Sequence, residues 1–338
     1  PDMAILSFLL QLFGATFLLL FAVRMVRTGI ERAFGASFRR VLTRKNTPLG
    51  LVPLGTALAI VLQSSAAVTL LAAGFAAKEA IAFLPAVAIV LGGDLGSALL
   101  IQILSLKVDW LVPVFLTLGG VLFLKTERRS LKQAGRIVLG VAFILIALRF
   151  LRDAIQPIQD SGVLPPLSVW LEGDPLTAFL IGAALAFVMH SSVAAVLMVV
   201  TVVGMSALPF SVGAAIVLGA NLGSALIPVW LGRDLVPAGR RVVLANVLLR
   251  GTAALLTLAA LSVLPMTLPP EGWGAGQALV TLHILFNLIV VLFLPAAPLL
   301  EPLLKAMAPD PPRDSAAPRH TSSLDKAALN SPARSLAS

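Results

Sequence analysis

Apolar stretches dominate this chain, and several run about 20 residues without a charge, the length that crosses a bilayer. They lie at 3–23, 48–77, 79–106, 110–124, 137–151, 175–204, 207–231, 241–264 and 277–300. Hydrocarbon offers the backbone no hydrogen-bond partner, so each stretch must pair its own peptide groups, and the Leu, Ala and Val content selects helices. The predicted class is therefore an all-α integral membrane protein. With 58% apolar and 12% charged residues, a water-soluble domain could not hide this surface. The first stretch has Arg24 and Arg27 behind it and no small-residue cleavage site, which predicts a retained span rather than a secretory leader.

The net charge of +9 does not point to nucleic acid, because Lys and Arg sit in short segments between apolar runs. Arg24, Arg27, Arg32, Arg39, Arg40, Arg44 and Lys45 mark one connection as cytoplasmic. Lys125, Arg128, Arg129, Lys132 and Arg136 mark a second, and Arg233, Arg240 and Arg241 a third. The intervening segments 153–174 and 265–276 hold Asp153, Asp160, Glu172, Asp174 and Glu271 with no Lys or Arg. The N-terminus is then expected outside and the C-terminal tail in the cytoplasm, in a multi-pass protein of the cell inner membrane. The tail, 306–338, turns to Pro, Ser and Ala without an apolar face and is expected to be disordered. Cysteine is absent, which removes disulfides and thiolate metal sites, and no spacing of ligands supports a zinc site.

Parity then constrains the topology. Three stretches lie between the first two cytoplasmic segments, and three full crossings would end on the wrong side. The stretch 48–77, interrupted by Gln63-Ser64-Ser65, is predicted as a re-entrant helical hairpin; 175–204, interrupted by His190-Ser191-Ser192, is predicted as a second. About seven full spans remain.

An internal duplication supports this pairing. A shift of 127 positions, from Pro48 to Pro175, aligns Gly55 with Gly182 and both Ser-Ser pairs. It also aligns Gly92-x-Asp94-Leu95-Gly96-Ser97 with Gly219-x-Asn221-Leu222-Gly223-Ser224. Repeat 1 covers about 3–124 and repeat 2 about 137–264, with a final span at 277–300, all within a transmembrane domain of residues 1–305. An odd number of crossings separates the hairpins, so the copies are expected to have inverted topology, the arrangement of many secondary transporters.

Chemistry follows from the interruptions. Hydroxyls and half-helix N-termini inside a membrane suit an oxyanion, which makes Gln63, Ser64, Ser65, His190, Ser191 and Ser192 the predicted anion contacts. The Gly-rich stretches are predicted as broken spans whose unwound carbonyls help hold a cation, with Asp94, Gly96, Ser97, Asn221, Gly223 and Ser224 as contacts. Thr69, Arg250, His283 and Asn287 are assigned supporting roles; Arg250 pairs with Asp94 or the anion, or snorkels to the interface. Ser pairs that merely allow close helix packing, and an Asp that caps a break, are the structural alternatives. A hydrolase using Ser64 with His190 lacks a third orienting group, so no enzyme is expected.

These motifs resemble those of the bacterial sodium/phosphate cotransporter family, related to the animal type II carriers. Gln63-Ser64-Ser65, Gly219-Ala220-Asn221-Leu222-Gly223-Ser224 and His283-Ile284-Leu285-Phe286-Asn287 carry the resemblance, which runs from about Leu18 to the tail. The pattern is similar to the branch with a C-terminal PhoU-like domain, and Pro318-Arg319-His320 with Leu324-Asp325-Lys326-Ala327 resembles the connection into it, as if the chain stopped just before that domain. The resemblance implies secondary transport of inorganic phosphate with Na⁺ as coupling ion, no cofactor, and uptake or export. Another oxyanion or dicarboxylate, a phosphate sensor or scaffold without transport, and a homodimer are the open alternatives. Departures from the family pattern are His190 for Gln, Ala66 and Val193 for a third serine, Asp94 for Asn, and an Arg241–Asn246 segment without the usual His. They imply that the two halves differ in ion binding.

Overall fold

The computed structural model describes residues 2–41, 47–106, 109–159, 164–263 and 272–310, and these are nearly all helical. Thirteen α-helices follow in order: α1 (Asp2–Val41), α2 (Val52–Leu62), α3 (Ser65–Ala77), α4 (Phe83–Leu104), α5 (Val112–Leu124), α6 (Arg129–Gln159), α7 (Leu164–Gly173), α8 (Pro175–Met189), α9 (Ser192–Gly204), α10 (Phe210–Leu231), α11 (Pro237–Val263), α12 (Ala275–Leu292) and α13 (Glu301–Met307). Among the described residues, six helices are long and apolar enough to cross a membrane: α1, α4, α6, α10, α11 and α12. The protein is a multi-pass membrane protein.

The duplication reappears in the element boundaries, because α4 and α10, and likewise α3 and α9, begin and end at positions 127 residues apart. Its packing repeats too: α2 lies against α4 as α8 lies against α10. Both crossings are made by glycines. A Cβ on Gly55 would run into the carbonyl of Ile89, and one on Gly92 into that of Val52. The equivalent Gly182 and Gly219 face the carbonyls of Ile216 and Phe179. Such contact brings the backbones together as small residues do between membrane helices.

α4 and α10 are apolar on all sides and mostly buried, so they form the central pair. α1 is peripheral, with Leu6, Leu9, Leu10, Phe13 and Phe17 exposed on one stripe. All four tryptophans are exposed at or near helix ends, and Trp230 lies under the Arg233 guanidinium at 5.2 Å. Tryptophan is enriched at membrane–water interfaces.

Several expectations need correction. The glycine-rich stretches at 92–97 and 219–224 do not unwind, because α4 and α10 continue through them; their glycines serve the helix crossings instead. α1 does not end near residue 23 but carries Arg24 and Arg27 within one helix running to Val41. Among the described residues, six helices qualify as full spans by length and composition, or up to seven where the bent pair of α7 and α8 is one span; α5, with 13 residues, is among the shorter apolar helices. The acidic segment 153–174 is largely helical, in the end of α6 and in α7, and α7 meets α8 at 101° at Asp174. The final stretch leaves the α-helix after Leu292, where Pro295 and Pro298 favour a 3₁₀ segment over Leu294–Leu300. The tail is not free from residue 306. Arg241 donates to the Ala308 carbonyl at 2.9 and 3.0 Å and pairs with Asp310 at 2.7 Å. Residues 311–338, like Asp160 and the 42–46 segment with Arg44 and Lys45, lie outside the described residues.

Candidate functional site

The two Ser-Ser motifs break their helices in the same way. Gln63 and His190 take left-handed backbone angles, φ 50 and 49, which end α2 and α8. That conformation costs a non-glycine residue about 1–2 kcal/mol, so the surrounding packing must hold it. Ser64 and Ser191 are extended, at φ −161 and −152, and cap the following helices: Ser64 Oγ accepts from Ala67 N at 3.1 Å, Ser191 Oγ from Ala194 N at 3.2 Å. Capping by the two serines is thus a structural role that the sequence did not announce, and Asp94, inside α4, caps no break. Capping does not exhaust the serines, because the first N–H groups of a helix have no intrahelical acceptor.

Both breaks open into one cavity of about 710 Å³. Gln63, Ser64 and Ser65 line it from one repeat; His190, Ser191, Ser192 and Ser224 line it from the other. The N-termini of α3 and α9 therefore point positive dipole ends at a shared space. Arg24, Arg27 and Thr28 of α1 line it as well. Sequence reasoning assigned those arginines to a cytoplasmic connection. A signal was available: Phe17, Leu20, Phe21, Arg24, Arg27 and Thr28 follow helical spacing and share one stripe of α1.

Behind the cavity lies a buried polar cluster. Arg250 of α11 donates from Nη1 to Asp94 Oδ1 at 2.7 Å and from Nη2 to Asn221 Oδ1 at 2.6 Å. Asp94 and Asn221 are repeat equivalents on α4 and α10, so one guanidinium bridges the two halves. Its side chain is 1% exposed, which decides against snorkelling. On α12, His283 and Asn287 stand one turn apart and both meet Asn221. Asn221 Nδ2 lies 3.0 Å from His283 Nδ1, and Asn287 Nδ2 donates to Asn221 Oδ1 at 3.3 Å. Ser65 and Asn246 lie beside the Asp94 carboxylate. Asn246, one turn before Arg250 on the buried face of α11, was not anticipated, although a polar residue in an apolar run was its signal.

Of the other predicted residues, Ser97 and Ser224 turn their hydroxyls to the carbonyls of Asp94 and Asn221 at 2.8 and 3.0 Å. Gly96 and Gly223 pack against α2 and α8. Thr69 bonds the Ser65 carbonyl at 2.9 Å, supporting the first break from behind. Gln63 Oε1, Arg250 Nε, His283 Nε2 and Asn287 Oδ1 are buried without a hydrogen-bond partner among the described residues. Such groups are costly unless water or a ligand meets them, and they mark the interior as polar by design rather than as packed core.

The sequence profile of the Na⁺/Pi-cotransporter family matches residues 18–153 and 163–291. "Putative inorganic phosphate export protein YjbB" of Escherichia coli (strain K12) is 34% identical over 336 residues, covering 97% of this chain and 61% of the relative. The protein of the same name from Salmonella typhimurium (strain LT2) is 34% identical over 334 residues. "Uncharacterized protein YqeW" of Bacillus subtilis (strain 168) is 25% identical over 306 residues, 89% of this chain and 99% of the relative. The chain thus spans about three fifths of the length of the first two relatives. No solved structure matches it.

Proposed function

Because the chain belongs to the Na⁺/Pi-cotransporter family, we propose that it is a secondary carrier of inorganic phosphate, with the anion held between the two Ser-Ser breaks. One observation carries this reading: repeat-related breaks, each with a helix N-terminus, line one cavity together with Arg24 and Arg27. Hydroxyl and N–H donors of Ser64, Ser65, Ser191 and Ser192 suit a tetrahedral oxyanion, and the guanidinium groups supply opposite charge. No covalent step is needed; recognition and release suffice.

The breaks also fit re-entrant hairpins. α2, α3, α8 and α9 have 11, 13, 15 and 13 residues, so each reaches only about 16–23 Å, short of the roughly 30 Å hydrocarbon core. Two such hairpins in copies of inverted topology would let the cavity open to either side in turn. On this reading the carrier sits in the inner membrane, with its N-terminus outside and its tail in the cytoplasm.

The deciding experiment is radiolabelled phosphate flux in proteoliposomes with Na⁺ or H⁺ gradients of either sign. Saturable flux that follows a sodium gradient is expected. A folded protein that neither binds nor moves phosphate would end this reading, and binding without counterflow would favour a sensor. Competition by sulfate, arsenate and citrate separates phosphate from other anions. The names of the enteric relatives include export, so outward flux under an outward phosphate gradient is the first direction to test.

Replacing Arg24 and Arg27 together by Gln should weaken phosphate binding by at least about tenfold, since a hydrogen bond to a charged group contributes about 1.5–3 kcal/mol. The loss should grow as ionic strength is lowered. Unchanged affinity by isothermal titration would remove α1 from the site.

A further inference from the structure

We infer that Arg250 is a tethered cation standing where an exchangeable one was expected, so that a coupling Na⁺ does not bind between Asp94 and Asn221. Those positions are the repeat-equivalent polar residues of α4 and α10, the natural place for an ion shared by two halves. The guanidinium already spans them, with Nη1 on Asp94 Oδ1 at 2.7 Å and Nη2 on Asn221 Oδ1 at 2.6 Å. The only buried carboxylate among the described residues is therefore already matched by a fixed positive charge.

The other expected ligands are also committed. The carbonyls of 92–97 and 219–224 lie within unbroken helices. Thr56 Oγ1 donates to the Gly92 carbonyl at 3.0 Å, and the hydroxyls of Ser97 and Ser224 point back to their own helices. An alkali ion entering here would face a guanidinium a few ångströms away in a medium of low polarity, where like charges repel strongly. It would have to displace Arg250, whose side chain is 1% exposed. The difference between the halves has a physical role on this view. Asp94 replaces an amide so that one arginine can be held by a charge on one side and by a neutral oxygen on the other.

The inference concerns the packing of the interior and not the identity of the anion, so the measurement is made without phosphate. Unfolding temperatures are compared in lipid nanodiscs, in sodium and choline chloride at equal ionic strength, for the unaltered protein, Arg250→Met, Arg250→Lys and Asp94→Asn/Arg250→Met. Removing the guanidinium alone leaves a buried carboxylate without its partner. Arg250→Met should therefore be less stable in choline and regain at least about 5 °C more than the unaltered protein does in sodium, as expected for an ion bound well above its Kd. Arg250→Lys should restore insensitivity, because a tethered ammonium also supplies the charge. The charge-free double variant should respond to sodium as the unaltered protein does. Equal sodium responses in Arg250→Met and the unaltered protein would overturn the inference. So would a sodium response of the unaltered protein that disappears in the double variant, a comparison that stands even where Arg250→Met fails to fold.

Discussion

Gly219→Ala is expected to prevent recovery of a folded, monodisperse protein, although it adds one methyl group. The added Cβ would overlap the Phe179 carbonyl and lie 3.0 Å from Ala183 N, both backbone atoms that cannot rotate away. α8 and α10 would have to separate along a crossing that also depends on Gly182 and Gly223. Overpacking of a rigid core costs about 1–3 kcal/mol or more, and backbone overlap belongs at or above the top of that range. Gly120→Ala in α5 is the control, because nothing lies within 4 Å of a Cβ there and alanine is favoured over glycine in a helix by about 0.5–1 kcal/mol. Size-exclusion profiles and unfolding temperatures in detergent decide the matter. Equal behaviour of the two variants would mean that the close crossing is dispensable.

The second large effect concerns binding. Ser64→Ala combined with Ser191→Ala should reduce phosphate affinity by about 100-fold or more, from two lost hydrogen bonds to a charged group at about 1.5–3 kcal/mol each. Both serines are also N-caps, and losing a cap costs about 0.5–2 kcal/mol of stability. Stability and affinity must therefore be measured separately. If both serines meet one anion, the single variants should not add, because each leaves the other contact to reposition the ligand. A double variant that unfolds earlier yet binds and transports phosphate as before would reduce the serines to caps.

Much of this architecture was legible because it rests on short-range energetics. A polar pair in the middle of a long apolar stretch is incompatible with an undisturbed helix in hydrocarbon, and both helices do break at Gln63-Ser64 and His190-Ser191. The glycine-rich stretches misled for a reason of the same kind. Glycine permits unwinding and permits close approach, and local sequence does not distinguish the two; only the position of α2 over α4 and α8 over α10 does. Arg24 and Arg27 misled through charge, since basic residues after an apolar run ordinarily mark a connection, whereas α1 continues past them.

By itself the sequence determined a helical membrane protein, its duplication, the two breaks and the set of polar residues that hydrocarbon could not tolerate unpartnered. Tertiary structure decided how those residues are used. Arg250 meets Asp94 across 156 positions and Asn221 across 29, and α1 brings its arginines to the cavity of the breaks. Periodicity and hydropathy act within a few turns of one helix. Which polar side chain neutralises which depends on crossings between distant helices, and those were set by where glycines let backbones touch.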